Sequence, residues 1–168
     1  MMQTRLLTPD DAATWKALRL EAIKTFPGAF LTTYDEAEAV PLDRTAAWLG
    51  NGHTHGVFEA GALVGAGTLG RYQRTQMRHR GNLGPFFVQR QVQGRGAANA
   101  LMGAMIDGAR VAGVWQMELH VAETNGRAIA FYHRHGFVEA GRIPNATVLD
   151  GHHETDLLLI RTDRVAHQ

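Results

Sequence analysis

Apolar and polar residues alternate along this chain of 168 residues with two different periods, one typical of strands and one typical of helices. The first short apolar run is Thr4–Leu7, and the last two alternating segments meet at Asp150-Gly151, a dipeptide typical of tight hairpins. Between them the pattern predicts a hairpin at 55–69 that turns near Gly61, and single strands at 83–89 and 115–121.

Helical periodicity marks four segments between these strands. The first begins with Thr8 as its N-cap and Pro9 in its first turn, and it ends at Phe26–Gly28. The acidic stretch that follows, 29–40, is poorly periodic, and no element is predicted there. The other predicted helices are 43–49, 94–112 and 125–135, the last of them closed by Gly136.

The predicted element order is β-α-α-β-β-β-α-β-α-β-β, with one βαβ crossover in the middle of the chain. Strands outnumber helices, which favours an α/β (α+β) fold with a mixed sheet and helices on both of its faces. The chain has no linker, repeat or low-complexity segment, so residues 1–168 are expected to form a single domain.

Composition narrows the class of function. Seventeen Lys and Arg residues stand against sixteen Asp and Glu, and this balance gives no charge field that would favour nucleic acid or a membrane surface. The chain has no cysteine, which excludes thiolate catalysis and disulfides, and its nine histidines lack metal-motif spacing, so no metal is expected. No segment resembles a signal peptide or a membrane span, and a cytoplasmic protein is expected.

The junction between the fourth strand and the following helix, 86–102, carries the first candidate chemistry. Gly94, Gly96, Ala97 and Ala98 leave the first turn of the helix almost without side chains. Unpaired backbone amides at the positive end of a helix bind phosphate groups, and small residues keep the approach open. Glycines at such a junction are also typical of a turn that needs only their backbone geometry, so this stretch alone leaves both interpretations open.

Two better-known phosphate-binding loops do not fit this junction. The P-loop requires a Gly-Lys-Ser/Thr sequence, which the chain lacks. The dinucleotide fingerprint requires a third glycine where Asn99 stands, and it should follow the first strand rather than the fourth. A phosphate site at 93–98 would therefore belong to another kind of motif.

A second stretch, 125–137, decides between the two interpretations because it follows the next strand and completes a pair of motifs. Gln93-x-x-Gly96-x-Ala98 resembles the Gln/Arg-x-x-Gly-x-Gly/Ala motif of the GNAT superfamily of acyl-CoA-dependent N-acetyltransferases. The pattern Asn-x-x-Ala-x-x-Phe-Tyr-x-x-x-Gly-Phe at 125–137 resembles the second signature of that family. The resemblance covers essentially the whole chain, and it implies a mixed, mostly antiparallel, twisted sheet of about seven strands.

The resemblance implies acetyl-CoA as co-substrate. It places Phe87 and Val88 on the strand edge that pairs with the pantetheine arm, with the Val88 amide facing the thioester carbonyl. Amides from Gly94 to Ala98 would bind the pyrophosphate. Core packing at Phe87 and helix capping by Asn125 are compatible with these roles. The residues expected at the cofactor are Phe87, Val88, Gln93, Gly94, Arg95, Gly96, Ala97, Ala98, Asn125 and Phe131.

Two residues are candidates for proton transfer. The resemblance places Tyr132 toward the thioester sulfur, where its hydroxyl would protonate the departing CoA thiolate. A protonated amine cannot attack, so a base must first remove its proton, and the candidate base is His120 on the fifth strand. The alternatives for this base are Glu118, His79, Glu36 and Glu38.

The predicted reaction is direct attack of a primary amine, from a small molecule or a peptide, on acetyl-CoA, since no cysteine is present to hold an acyl group. Phe30, Tyr34 and Glu36 are candidates for acceptor binding and indicate a cationic amine with some apolar character. One alternative is a non-catalytic acyl-CoA-binding or sensor module, which would not need Tyr132. Another is RNA binding by the arginine-rich segment 71–80, which the net charge disfavours. The family also permits a homodimer, which the sequence does not decide.

Overall fold

The computed structural model describes residues 1–163, which contain seven strands and five α-helices. Short 3₁₀ turns connect several of these elements. The turn Pro9–Asp11 has the predicted cap Thr8 at its start and leads directly into the first α-helix. The strands are β1 Met2–Leu6, β2 Thr54–Glu59, β3 Ala62–Arg71, β4 Arg80–Val88, β5 Gln116–Ala122, β6 Val138–Leu149 and β7 His152–Thr162.

Four of the helices fall where the sequence predicts helices, with ends shifted by a few residues. None of the helices within residues 1–163 has the length and apolar content needed to cross a membrane. The helices are α1 Ala12–Thr25, α2 Tyr34–Glu38, α3 Leu42–Leu49, α4 Ala97–Val111 and α5 Gly126–Arg134.

The strands form one sheet in the order β1-β2-β3-β4-β5-β7-β6. β4 and β5 run parallel, with Gly81 opposite Met117, whereas β1-β2, β2-β3, β5-β7 and β6-β7 are antiparallel pairs. The mixed, mostly antiparallel sheet of seven strands with helices is therefore confirmed. The predicted turn at Asp150-Gly151 is also present, because both residues adopt the positive φ that a tight hairpin needs.

Two elements differ from the sequence prediction. The helix α2 was not predicted, and it forms because Thr33 and Glu36 make a reciprocal capping box in which the Glu36 carboxylate accepts the Thr33 amide at 2.8 Å. β4 begins at Arg80 rather than at residue 83, inside the basic segment predicted as a loop. Tertiary pairing extends it, since Arg80 lies opposite Gln116 of β5.

The described chain divides into two compact units. The first comprises Met1–Leu69 and Gly84–Gly108, and the second contains Gly70–Leu83 and the chain from Ala109 onward. That residues 1–168 act as a single domain stays a prediction. The core of the first unit joins β1, α1, α3, β3 and β4 through apolar side chains of Leu7, Ala12, Trp15, Leu18, Leu49, Leu63, Ala66 and Phe87.

The second unit is centred on β5, whose side chains alternate between two faces. Met117, Leu119 and Val121 are buried on one face, as the strand period of two predicts. On the other face Glu118 is buried and His120 is exposed. Phe137 just after α5 is fully buried and completes this core. The face that carries the two titratable residues is therefore held in place by an apolar face behind it.

Protonation of His55 is expected to destabilise the first unit. This imidazole is half-buried on β2 beside Gly108 of α4, and its Nδ1 has no hydrogen-bond partner within residues 1–163. Burial lowers the pKa of His55 below its usual value. Because the unfolded chain then binds the proton more readily than the folded one, His55 makes the free energy of unfolding fall as the pH drops below about 6.5.

Urea denaturation of the wild type and His55→Gln, from about pH 7.5 to about pH 5, measures this contribution. The wild type should lose more stability than the variant over that range. Burial and nearby arginines lower the pKa of His135 as well, but both proteins retain His135, so the difference between them isolates His55. Equal losses in the two proteins would contradict the assignment.

Candidate functional site

The junction between β4 and α4 has the open backbone that the sequence predicts. Gly94 and Gly96 adopt φ values of 75° and 93°, in the left-handed region that side chains with a Cβ disfavour. A Cβ placed on either glycine would meet no atom within 4 Å. The surface above these two residues is therefore unobstructed, and we call residues 94–98 the amide cradle.

The first turn of α4 leaves backbone amides exposed for a ligand. The earliest bond of this helix runs from the Ala100 amide to the Gly96 carbonyl at 2.9 Å, so the amides of Gly96, Ala97 and Ala98 precede it. The Arg95 amide is different, because it donates to the Val92 carbonyl at 3.2 Å. Ala97 is fully buried, so the amide cradle offers the N–H groups of Gly94, Gly96 and Ala98 rather than those of Arg95 and Ala97.

The side chain of Arg95 pairs with a carboxylate and does not lie free at the rim. Its guanidinium forms a two-bond ion pair with Glu59 at the end of β2, one bond being 3.2 Å long. Gln93 is half-buried and extended, directly before the first glycine. The net charge beside the amide cradle is therefore smaller than the sequence alone suggests.

The end of β4 combines a buried side chain with a half-buried one. Phe87 is buried in the core of the first unit, and Val88 is half-buried. β3 supports them closely, since a Cβ on Gly65 would lie 2.6 Å from Val88 Cγ1 and 2.9 Å from the Phe87 carbonyl oxygen. Only glycine fits at residue 65 without displacing the end of β4, which fixes the Val88 peptide.

In the second unit, α5 begins and ends as the sequence predicts. The Asn125 side chain caps the helix by accepting the Ala128 amide at 3.2 Å, and Gly136 closes it with φ 85°. Tyr132 is half-buried, and its ring lies edge-on to Phe131 at 5.5 Å and to Phe137 at 5.7 Å between ring centroids. These contacts fix the phenol ring on the helix.

The Tyr132 hydroxyl stays protonated at neutral pH. Burial raises the pKa of Tyr132 to about 12, because the phenolate form would be poorly solvated. A phenol in this state donates a proton or a hydrogen bond and does not act as a base. Tyr132 is therefore in the protonated state that a general acid requires, although the raised pKa makes it a weaker acid than a free tyrosine.

The comparison with protein families identifies the chain. The model of the acetyltransferase (GNAT) family matches residues 15–137, a range that contains the amide cradle and α5. This chain belongs to the GNAT acetyltransferase family. The predicted resemblance is thereby confirmed. A search of curated proteins finds none that matches this GNAT sequence.

Solved structures share the GNAT fold of this chain. The acetyltransferase of the GNAT family from Streptococcus pneumoniae is 22% identical, with a TM-score of 0.87 over 97% of this chain and 100% of that one. The protein yncA from Salmonella typhimurium, solved with its cofactor acetyl-CoA, is 21% identical, with a TM-score of 0.84 over 100% and 98% of the two chains. The ribosomal-protein-alanine N-acetyltransferase from Brucella melitensis is 22% identical, with a TM-score of 0.81 over 95% and 99%.

The candidate bases of this GNAT protein differ in how strongly other groups hold them. Arg80 binds the buried Glu118 carboxylate through two hydrogen bonds, and these lower the pKa of Glu118. Glu118 also accepts bonds from Tyr72 at 3.4 Å and Gln116 at 3.2 Å, so it is a structural anion. His120 on the same strand face is exposed and opposite Leu158 of β7.

The remaining alternatives for the base also have structural partners or an exposed position. His79 stacks on Trp115 with 4.5 Å between ring centroids. Hydrogen bonds from Thr33 lower the pKa of Glu36, which is exposed and caps α2. Glu38 is exposed at the end of the same helix. Of the two candidate imidazoles, His120 is exposed, whereas His79 is half-buried and stacked on Trp115.

A cleft in the first unit of the GNAT fold lies between α1 and the end of β4. It was not predicted from the sequence, because its two walls are far apart along the chain. Glu21 accepts a hydrogen bond from the Gln89 side-chain amide at 3.0 Å, and the Arg90 guanidinium lies over the Phe26 ring at 5.3 Å. The cleft is lined by Leu18, Glu21, Ala22, Thr25, Phe26, Phe87, Val88, Gln89 and Arg90.

The predicted acceptor residues lie in the segment that follows α1. Phe30 is half-buried and meets Phe87 edge-on at 5.6 Å between ring centroids, which brings this segment against the end of β4. Tyr34 begins α2 and is exposed. Glu36 is engaged in the capping box, so its carboxylate already has backbone partners.

One cation of α1 lacks a matching anion. Arg19 is half-buried, and its Nε has no hydrogen-bond partner within residues 1–163. Its Nη2 donates to the Thr32 hydroxyl at 3.1 Å, and its guanidinium lies over the Trp15 ring at 5.2 Å. Burial lowers the pKa of Arg19, since the cation is partly removed from water.

Proposed function

We propose that this protein transfers an acetyl group from acetyl-CoA to a primary amine of a small molecule or peptide, by direct attack of the amine on the thioester. The observation that carries the proposal is the amide cradle, where Gly94 and Gly96 leave open space above unpaired amides at the start of α4. Family membership supports the same reaction class.

The residues present fit an acyl-CoA cofactor. A pyrophosphate needs several N–H donors and no side chain in the way, and Gly94, Gly96 and Ala98 meet both needs, while the predicted donor Ala97 is buried beneath them. Gln93 and Arg95 supply polar groups at the rim, while contacts of Asn125 and Phe131 with the cofactor stay predictions of the family resemblance. When bound, the cofactor supplies a thioester that is open to attack by an amine.

Phe87 and Val88 hold and polarise that thioester in our proposal. The buried Phe87 side chain anchors the end of β4, and the Val88 amide donates to the oxygen that becomes negative as the amine attacks. Gly65 behind them keeps this backbone in place. Losing one such donor from an oxyanion site typically costs about 10²–10³ in rate.

Tyr132 is the proposed general acid, and His120 the proposed base. The raised pKa of Tyr132, about 12, keeps its proton available for the sulfur as the carbon–sulfur bond breaks. Glu118 is held by Arg80, which leaves His120 as the accessible titratable group on that strand face, able to take the amine proton directly or through water. No protein nucleophile is invoked, in keeping with the absence of cysteine.

For the acceptor, we propose that Phe30, Tyr34 and Glu36 contact the amine-bearing molecule. Phe30 packs on Phe87, so it lies on the same side of the first unit as the proposed thioester site. The exposed ring of Tyr34 offers an apolar face with a polar tip. A non-catalytic binding module would retain the amide cradle but would have no need for the Tyr132 proton.

Acetyl-CoA is expected to raise the melting temperature of the protein. Binding to the folded state alone stabilises it by mass action, by about 2.7 kcal/mol when the ligand is at 100 times its Kd. Differential scanning fluorimetry with acetyl-CoA, and with ATP at equal concentration as the control nucleotide, measures the shift. A shift with acetyl-CoA that exceeds the shift with ATP supports the proposal, and no shift at millimolar acetyl-CoA contradicts it.

A further inference from the structure

Arg19 is a half-buried cation of the first unit whose guanidinium is incompletely hydrogen-bonded. A guanidinium has five N–H donors and normally meets carboxylates or several acceptors when it is removed from water. Here one hydrogen bond to Thr32 is present, and the buried Nε has no acceptor within residues 1–163. No carboxylate of the described chain forms an ion pair with it.

The neighbouring charges on α1 are already engaged or exposed. Lys16 donates to the carbonyls of Glu38 and Val40 at 2.7 and 2.6 Å, which satisfies its ammonium group. Glu21, the acidic residue nearest in sequence, accepts from Gln89 instead of pairing with Arg19. Lys24 is exposed in the last turn of the helix. Arg19 is thus left as a partly buried positive charge that the fold does not neutralise.

Arg19 contacts the segment that carries the proposed acceptor residues, although it does not itself line the cleft. It precedes Ala22, which lines the cleft, by one helical turn, and its partner Thr32 belongs to the segment whose Phe30 packs on Phe87. The Trp15 ring lies 5.2 Å from the guanidinium carbon and makes a cation–π contact with it. A planar guanidinium can bind a carboxylate through two parallel hydrogen bonds.

We infer that Arg19 binds a carboxylate of the acceptor, so that the acetylated amine belongs to an amino acid or a closely similar molecule. This inference rests on the proposed function and narrows its substrate class. The acceptor carboxylate would bind the terminal nitrogens of the Arg19 guanidinium, since Nε is itself closed to solvent, and its amine would then extend toward the end of β4. Arg19 acts as a specificity residue that recognises the acceptor and takes no part in proton transfer.

The test compares Arg19→Met with a matched variant of the same helix, Lys24→Met. Both changes replace a cation by an unbranched apolar side chain, but Lys24 is exposed. The acceptors are L-amino acids and their amides, measured in pairs with acetyl-CoA. For each acceptor, kcat/KM of the variant is divided by kcat/KM of the wild type. This ratio cancels the intrinsic difference in reactivity between an amino acid and its amide.

Arg19→Met should lower kcat/KM for the acids by about tenfold to a hundredfold, the loss expected for a charge-assisted hydrogen-bond pair, and should leave the amides nearly unchanged. Its melting temperature should stay equal or rise, because an unneutralised cation has been removed. Lys24→Met should leave kcat/KM close to the wild-type value for both the acids and the amides. Equal losses for acids and amides, loss of stability without a change in selectivity, or no turnover of any amino acid would overturn the inference.

These outcomes separate the inference from the proposed function. If acetyl-CoA binds and amines without a carboxylate, such as polyamines, are acetylated equally well by the wild type and Arg19→Met, the inference fails and the proposed function stands. If acetyl-CoA fails to bind the wild type, the proposed function fails, whatever the role of Arg19.

Discussion

Tyr132→Phe is expected to lower kcat by about 10²–10⁴-fold, the usual contribution of a positioned general acid. The substitution removes only the hydroxyl, and the ring keeps its edge-on contacts with Phe131 and Phe137. A phenol whose pKa is about 12 carries its proton throughout the neutral range, so Tyr132 of the wild type is fully protonated there. Without it, the thiolate must leave unprotonated or take its proton from water.

Steady-state turnover and isothermal titration with acetyl-CoA check this prediction together. Affinity for acetyl-CoA should remain within a few-fold of the wild type, since Tyr132 is proposed to act on the departing sulfur. Tyr72→Phe is the matched control, because it also removes a phenol hydroxyl in the second unit but outside the proposed chemistry. Unchanged turnover in Tyr132→Phe would remove this residue from the mechanism. A wild type that binds acetyl-CoA but acetylates no amine would favour the non-catalytic binding module.

Gly96→Val is expected to weaken acetyl-CoA binding by about tenfold to a hundredfold. The new side chain would cover the amides of the cradle and remove one or two charge-assisted hydrogen bonds to the pyrophosphate. Positive φ at this position also strains any residue with a Cβ, at a cost of about 1–3 kcal/mol in stability. Binding loss must therefore be separated from unfolding.

Gly113→Val provides that separation. Gly113 has φ 76° and open space where a Cβ would be, as Gly96 does, but it lies beyond the C-terminal end of α4. Urea denaturation should show similar destabilisation of the two variants, whereas isothermal titration should show weakened acetyl-CoA binding in Gly96→Val alone. Equal affinity in the two variants would mean that the pyrophosphate binds elsewhere.

Much of the fold could be predicted because its signals are local. The hairpin at Asp150-Gly151, the cap at Thr8 and the glycine after α5 are each determined by residues within a few positions. The capping box of Thr33 and Glu36 is an equally local signal that would have revealed α2. The start of β4 is different, since only pairing with β5 turns the basic segment into a strand.

The candidate site also combines features that one stretch of sequence reveals with features that form only on folding. The amide cradle is formed by one contiguous stretch of small residues, so its open backbone is visible in the sequence and is present in the structure. The pairing of Arg95 with Glu59, the cleft beside α1 and the unmatched charge of Arg19 each depend on residues that meet only after folding. The catalytic roles of Tyr132 and His120 stay predictions.

Gly65 has a consequence for how this protein tolerates amino-acid change. Gly65 and Gly67 of β3 would place a Cβ 2.6 Å from Val88 Cγ1 and 2.5 Å from Met105 Sδ, whereas Gly96 has empty space around it. A saturation library scored by activity is therefore expected to mark positions 65 and 96 as intolerant, for opposite reasons, whereas the flexible end of the Met105 side chain can move to relieve the contact at 67. Gly65→Ala is expected to lower activity because its methyl group would displace the end of β4, although residue 65 is not among the proposed substrate contacts.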